Sequence, residues 1–222
     1  MKKIIMSMCL LSAMLFAGSQ VLYSIDFSKQ KDGNAMPWLK SKGFAFLLDS
    51  KELNLKFANN RLEFETSGKK AGLFGVHFEK SIPNVEYAII EWGVERFPKG
   101  ANWATGNNRV AIGAVFTLGT KKFSSGIPFI KSAPYFFGPF IGQKEKVGKE
   151  YLGALYKKSG RYYCIANGAG VQKTRFEIGE KFKSNFGKEM PPLTAFGFQM
   201  NTKNTTGGAK AFVKKITFYG SK

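Results

Sequence analysis

Arg109-Val-Ala-Ile-Gly-Ala-Val-Phe-Thr-Leu118 is the stretch from which the fold is read. Val110, Ile112, Ala114, Phe116 and Leu118 fall at every second position, so an extended chain turns them to one face and Arg109, Ala111, Gly113, Val115 and Thr117 to the other. The same period recurs upstream, where Ala88, Ile90, Trp92 and Val94 oppose Tyr87, Ile89, Glu91, Gly93 and Glu95. Downstream, Phe196, Phe198 and Met200 leave Gly197, Gln199 and Asn201 on the far side. Beyond residues 86–96, 109–118 and 194–201, runs rich in Phe, Val, Ile and Tyr predict strands over 21–27, 44–49, 53–58, 61–66, 72–78, 151–157, 162–166, 174–178 and 211–219, about twelve in all. At most one short helix fits, at 180–186, where Phe182 and Phe186 are spaced i, i+4. Most connections are too short for parallel crossovers, so the expectation is an all-β, antiparallel, jelly-roll-like β-sandwich.

Gly93, Gly113 and Gly197 each stand on the non-core face of their strand. Glycine there marks a close approach, by a ligand or by the chain's own loop. Residues 119–150 hold twelve Phe, Tyr, Ile and Pro side chains, too many for a solvated loop of that length. The segment is expected to pack down, as a lid over a groove or as a structural buttress.

Lys2 and Lys3 precede an apolar run from Ile4 to Ala17, followed by Gly18 and Ser19, which is the three-region pattern of a signal peptide. The run falls short of the roughly 20 apolar residues of a spanning helix. Cleavage after Ser19 and a periplasmic or secreted location are expected, with an uncleaved anchor as the alternative. Residues 20–222 suit one domain, since no linker divides them. Cys164 is then the one remaining cysteine, so no internal disulfide forms, and its place in Arg161-Tyr-Tyr-Cys-Ile165 suits a buried, inert thiol.

Charge is unevenly spread. Residues 20–120 carry 13 Lys and Arg against 10 acids, while residues 121–222 carry 19 against 5. Such a field draws polyanions and anionic surfaces, or merely solubilises the chain. Export argues against nucleic acid as partner.

Chemistry is sparse. His77 is the one histidine, and no Gly-x-Ser-x-Gly nucleophile motif accompanies it. Asp26, Asp32 and Asp49 are scattered, which suits neither calcium nor another metal, and no cofactor is implied. Glu91 and Glu95 lie about 13 Å apart along one strand, beyond the spacing of a glycosidase pair. Sugar recognition needs flat apolar rings beside directional hydrogen-bonding groups, for which Trp103, Glu91, Arg109, Gln199 and Asn201 are the candidates.

Glu91-Trp-Gly-Val94, then Gly106-Asn-Asn-Arg-Val-Ala-Ile-Gly-Ala-Val-Phe116, then the run from Phe198 to Phe218 resemble, in that order, a bacterial family of exported proteins catalogued as domain of unknown function 3047. Asp26-Phe27 and Ala133-Pro-Tyr-Phe-Phe137 extend the resemblance over nearly the whole mature chain. It implies a sandwich similar to carbohydrate-binding jelly rolls and no established activity. Where the family's pattern carries aspartates, this chain has Asn107, Asn108, Asn201, Lys203, Lys214 and Lys215. The resemblance therefore implies that a cation held by those acids is lost here, with ammonium groups in its place.

The expected function is a periplasmic, non-catalytic binding protein for an acidic glycan or another anionic envelope component, with Lys203, Lys214 and Lys215 beside Gln199 and Asn201. The alternatives are a glycan hydrolase or lyase using Glu91 or Glu95 with Arg109, and a structural envelope protein held to lipid headgroups by charge. Cleavage near Ser19 should remove about two kilodaltons. Intact mass of the protein from a periplasmic fraction checks this, and full-length chain in the cytoplasm would refute it.

Overall fold

The computed structural model describes residues 19–221, so the expected signal segment lies outside the described residues. The strands are β1 (Gln20–Asp26), β2 (Gly33–Asn34), β3 (Phe44–Leu48), β4 (Lys56–Ala58), β5 (Arg61–Thr66), β6 (Ala71–Ile82) and β7 (Val85–Arg96). They continue with β8 (Val110–Phe123), β9 (Ala133–Gly142), β10 (Glu150–Tyr151), β11 (Gly160–Asn167), β12 (Gly170–Glu177), β13 (Leu193–Asn201) and β14 (Ala209–Gly220). Helices α1 (Met36–Ser41) and α2 (Ile178–Phe186), with short 3-10 turns at Asp49–Glu52 and Trp103–Thr105, complete the described elements. The first sheet runs β12-β7-β14-β5-β4-β2, with β1 also on β14, and the second runs β10-β11-β9-β8-β13-β6-β3. The protein is an all-β sandwich.

Period-two alternation builds the core. Trp92, Ile90, Ile216 and Phe218 of the first sheet meet Phe74, Phe116, Phe196 and Phe198 of the second, all buried. Their rings pack edge to face or tilted, with Phe116 at 5.2 Å and Phe196 at 5.5 Å from Phe218. Trp92 donates its indole N–H to Thr174 Oγ1 at 3.0 Å, so its one polar atom is satisfied inside.

The structure departs from the expectations in particulars, while the fold class stands. Among the described residues fourteen strands stand where about twelve are expected, and two helices stand where one is, the short α1 carrying Pro37 in its first turn, where proline's fixed φ is tolerated. Residues 119–150 are neither lid nor plain buttress: β8 runs on to Phe123 and β9 is an interior strand of the second sheet. Pro134 and Pro139 hid that strand, since proline ordinarily argues against one. Pairing is not wholly antiparallel, for β11 runs parallel to β9, and the connection over 143–159 is long enough for a crossover. Residues 152–157 leave the sheet after the two-residue β10. The alternation also breaks at Val110, where an irregular register opposite Asn201 moves that side chain to a second, outer cluster.

On the first sheet's outer face Gly93 is covered by the chain itself. A Cβ there would stand 2.3 Å from Phe212 Cζ, and the Arg61 guanidinium lies 3.8 Å above the Phe212 ring. Arg61 also pairs with Glu63 at 2.7 Å and with Glu95, and Lys210 pairs with Glu95 at 2.7 Å and Glu63 at 3.5 Å. Burial alone would raise the Glu63 carboxyl, but hydrogen bonds from Asn59 and Arg61 and the charges of Arg61 and Lys210 hold it below its ordinary range. The hydrogen bond from Lys210 does the same for Glu95.

A carboxyl whose folded pKa lies below its unfolded value stabilises the fold above the unfolded pKa, and that stability is lost as pH falls through the folded one. Melting temperature should therefore drop on acidification below about pH 4. Glu63→Gln should be less stable at neutral pH and show a shallower acid limb in a melting series. Acid limbs of equal slope in the two proteins would exclude this cluster as their source.

Candidate functional site

The second sheet's outer face follows from its register. One cross-strand row runs Leu47, Leu73, Gln199, Gly113, Phe140 and Cys164. The next contains Ala45, Gly75, Gly197 and Val115, with Gly138 beside Tyr162. The small residues of the second row leave an apolar trough of about 190 Å³ between Leu47 and Leu73 on one side and Ala195 on the other. Gly138 has no room for a side chain, because a Cβ would stand 2.4 Å from Tyr162 Cδ1. The Tyr162 ring lies flat over it.

Beside the trough, a second apolar cluster of Trp103, Val110, Phe140, Tyr151 and Cys164, with Tyr162 against it, is roofed by residues 101–109 and 143–159. Between these loops and the sheet lies a cleft of about 340 Å³, lined by Trp103, Arg109, Tyr156, Tyr162, Gln199 and Asn201, among others. Gln199 and Leu73 are cross-strand partners, so cleft and trough adjoin.

Each lining group is held in place. Arg109 donates from Nε to the Lys203 carbonyl at 2.6 Å and from Nη1 to the Asn108 carbonyl at 2.9 Å. Its own carbonyl accepts the Trp103 indole N–H at 3.2 Å. Trp103 stacks on Phe140 at 4.7 Å and is 6 % exposed, so the cleft meets its edge. Asn201 Oδ1 accepts from the Lys203 backbone N–H at 3.1 Å, which leaves its amide nitrogen to donate. Gln199 lies across Gly113, with Nε2 3.1 Å from where a Cβ would be. Tyr156 has a φ of 58°, and its hydroxyl donates to the Lys131 carbonyl at 2.7 Å. Burial raises the Tyr156 phenol and, with a smaller contribution from Tyr156, pushes Tyr162 up to about 12, so both stay protonated in neutral water.

Four of the residues singled out from sequence thus converge: Trp103, Arg109, Gln199 and Asn201. Lys203 sits at the rim, its carbonyl on Arg109 and its ammonium 3.7 Å from Asp49. Glu91, Lys214 and Lys215 do not join them. Glu91 belongs to the first sheet, in register with Lys173 and Lys215, and its carboxylate is 3.5 Å from the Lys173 ammonium. Lys214 occupies a register irregularity of β14, its carbonyl accepting from Phe27 N at 2.8 Å. Lys214 and Lys215 therefore form no common patch with Lys203 and Gln199, because β14 lies in the first sheet and β13 in the second. An acid–base pairing of Glu91 or Glu95 with Arg109 fails for the same reason, as neither carboxylate lines the cleft.

His77 is exposed on β6, and Asn107 is a clasp that donates to the Gly100 and Asn204 carbonyls at 2.6 and 3.1 Å. Cys164 is buried and its thiol is pushed up to about 11 by that burial, which suits an inert group. Among the described residues no group of three or more His, Cys, Asp and Glu is placed to hold a metal ion. Sequence reasoning missed Tyr156, Tyr162 and Glu145. The signal for Tyr162 was available, since alternation puts it on the same face as Cys164.

No family model matches the chain, and no curated protein matches it. Among solved structures, a protein of unknown function from Shewanella oneidensis MR-1 is similar over 92 % of this chain and 90 % of its own, at 13 % identity and a TM-score of 0.40.

Glu145 holds the cleft's roof together. Its buried carboxylate accepts from the backbone N–H groups of Trp103 at 3.0 Å, Gln143 at 2.9 Å and Lys144 at 3.0 Å. Glu145→Ala leaves those donors unpaired and should cost about 2–3 kcal/mol in urea unfolding, with a red shift of tryptophan emission as Trp103 loosens. Unchanged stability would show that water replaces the carboxylate without loss.

Proposed function

We propose that this is a non-catalytic binding protein of the cell envelope, periplasmic by the signal segment expected at its start, whose second sheet binds an acidic glycan along the cleft and trough. One observation carries the reading: among the described residues Arg109 is the only cationic side chain lining the cleft, and it stands among amides and phenols with no carboxylate, histidine or cysteine beside it. A guanidinium suits a uronate or sulfate, Gln199, Asn108 and Asn201 suit hydroxyls, and the adjoining apolar trough suits an apolar sugar face. A cleft with no carboxylate or histidine beside Arg109 among the described residues favours binding over elimination or hydrolysis.

Titration of a polyuronate and of a neutral glucan at two salt concentrations tests the proposal. The polyuronate should bind more tightly, with an affinity that falls as salt rises. Arg109→Gln should weaken it about tenfold, or about 1.4 kcal/mol, and flatten the salt dependence, while Lys215→Gln on the other sheet leaves both unchanged. A melting curve for Arg109→Gln guards against loss of the loop that Arg109 braces. Polyuronate binding indifferent to Arg109→Gln in a folded protein would overturn the assignment.

A further inference from the structure

The connection between β8 and β9 carries a feature that the cleft does not use. In Ser124-Ser-Gly-Ile-Pro-Phe-Ile-Lys-Ser132, Phe129 is fully exposed, and Ile127 and Ile130 are 50 % and 41 % exposed. Loose loops bury such side chains by folding back, but this one is pinned. The buried Ser125 hydroxyl lies 2.9 Å from the Ile127 carbonyl, 3.3 Å from that of Ile130 and 3.1 Å from the Ile127 N–H. From the neighbouring loop, Tyr156 donates its N–H to the Ser125 carbonyl at 2.9 Å and its hydroxyl to the Lys131 carbonyl. Phe129 itself has a φ of 67°, a conformation that a bulky aromatic adopts only when its surroundings impose it. The backbone is thus shaped to hold three apolar side chains outward.

The charges around the tip are of one sign. Lys121, Lys122 and Lys131 flank it along the chain, Lys157 and Lys158 follow Tyr156, and all five are exposed. Residues 96–144 contain no Asp or Glu. Glu189 shares a hollow with Lys121 and Lys188.

We propose that this tip inserts into the surface of an anionic phospholipid bilayer. A stable protein partner needs about 800 Å² on each side, which three side chains on a convex tip do not offer. A bilayer takes small apolar wedges at the boundary between headgroups and acyl chains, and ammonium groups ringing the wedge meet the lipid phosphates. The inference is independent of the glycan reading, but Tyr156 belongs both to the tip's brace and to the cleft, so insertion sets the cleft close to the membrane plane.

Vesicle co-sedimentation tests it, using protein purified as the producing cell leaves it, with the same N-terminus in every variant fixed by intact mass. Vesicles of phosphatidylglycerol with phosphatidylethanolamine should retain the protein, and vesicles of phosphatidylcholine should not. Replacing Ile127, Phe129 and Ile130 together by serine should weaken retention at least tenfold with little loss of melting temperature, because none of these side chains belongs to either apolar cluster. Replacing Lys121, Lys122 and Lys131 by glutamine should weaken it and flatten its salt dependence. A Phe129→Trp variant should shift its emission to the blue on phosphatidylglycerol vesicles and be quenched by brominated lipid. Retention unchanged by the serine variant, no retention at low salt, or a blue shift that rises with protein concentration in the absence of lipid would each overturn the proposal, the last by pointing to a second copy of the chain. Polyuronate affinity should be the same in the serine variant, which separates failure of this inference from failure of the cleft.

Discussion

Everything in this molecule depends on the ring contacts across the two sheets, where Phe116 and Phe196 meet Phe218 and Phe74 meets Phe64. The one described cysteine is free and buried, so no covalent link joins the sheets, and burial of apolar surface must supply the stability. Period two makes that demand specific. A slip of one residue in β8 or β13 would turn Phe116 or Phe198 into solvent and bring Val115 or Gln199 into the core. The outer faces are therefore fixed as firmly as the inner one, because each outward residue is the neighbour of an inward phenylalanine.

The two outer faces are finished by different physics. On the first sheet, Arg61 caps Phe212 over Gly93 and neutralises Glu63 and Glu95 with help from Lys210, so polar groups there are consumed by one another. Arg175 lies 3.4 Å above the Tyr87 ring, itself stacked on Tyr219 at 4.8 Å, and closes more of that face. On the second sheet the cover is apolar and local, Trp103 on Phe140 under a loop that Glu145 ties down. Where that cover stops, the guanidinium of Arg109 and the amides of Gln199 and Asn201 border an open cleft. A surface whose charges are already paired has little left for a ligand, whereas one with directional donors beside rings has the makings of a site.

How much of this was legible in the sequence follows from which signals are local. Alternation in β7, β8 and β13 is local, and it put Trp92 inside and Gln199 outside as the structure has them. Sheet membership is not local. Nothing in the adjacency of Lys214 and Lys215 to Lys203 says that β14 lies in one sheet and β13 in the other, so those lysines were grouped with Gln199 by position along the chain alone. Strand β9 was obscured for a different reason, since Pro134 and Pro139 punctuate it and its outward Phe136 and Phe140 lie under loops, so alternation is masked by burial on both faces. Arg109, Gln199 and Asn201 were identifiable because they sit at strand ends or on outward positions, and Trp103 because it is a lone ring in the polar loop ahead of β8. Tyr156 was not, because its place depends on how residues 152–158 wrap back over the sheet.

The same logic reinterprets the basic excess of the second half. Part of it is structural, for Lys210 serves Glu63 and Glu95, Lys173 serves Glu91, and Lys203 stands near Asp49. Lys121, Lys122, Lys131, Lys157 and Lys158 make no ion pair among the described residues, and they gather where β8 turns into β9 and where Tyr156 braces that turn. Unpaired charge is what acts at a distance, because a paired ammonium is cancelled within a Debye length of about 8–10 Å. The unpaired lysines at one end of the second sheet, next to the cleft, therefore add to the protein's long-range field together with Lys214 and Lys215 of β14, which make no ion pair among the described residues either, whereas Lys210, Lys173 and Lys203 are spent on nearby carboxylates.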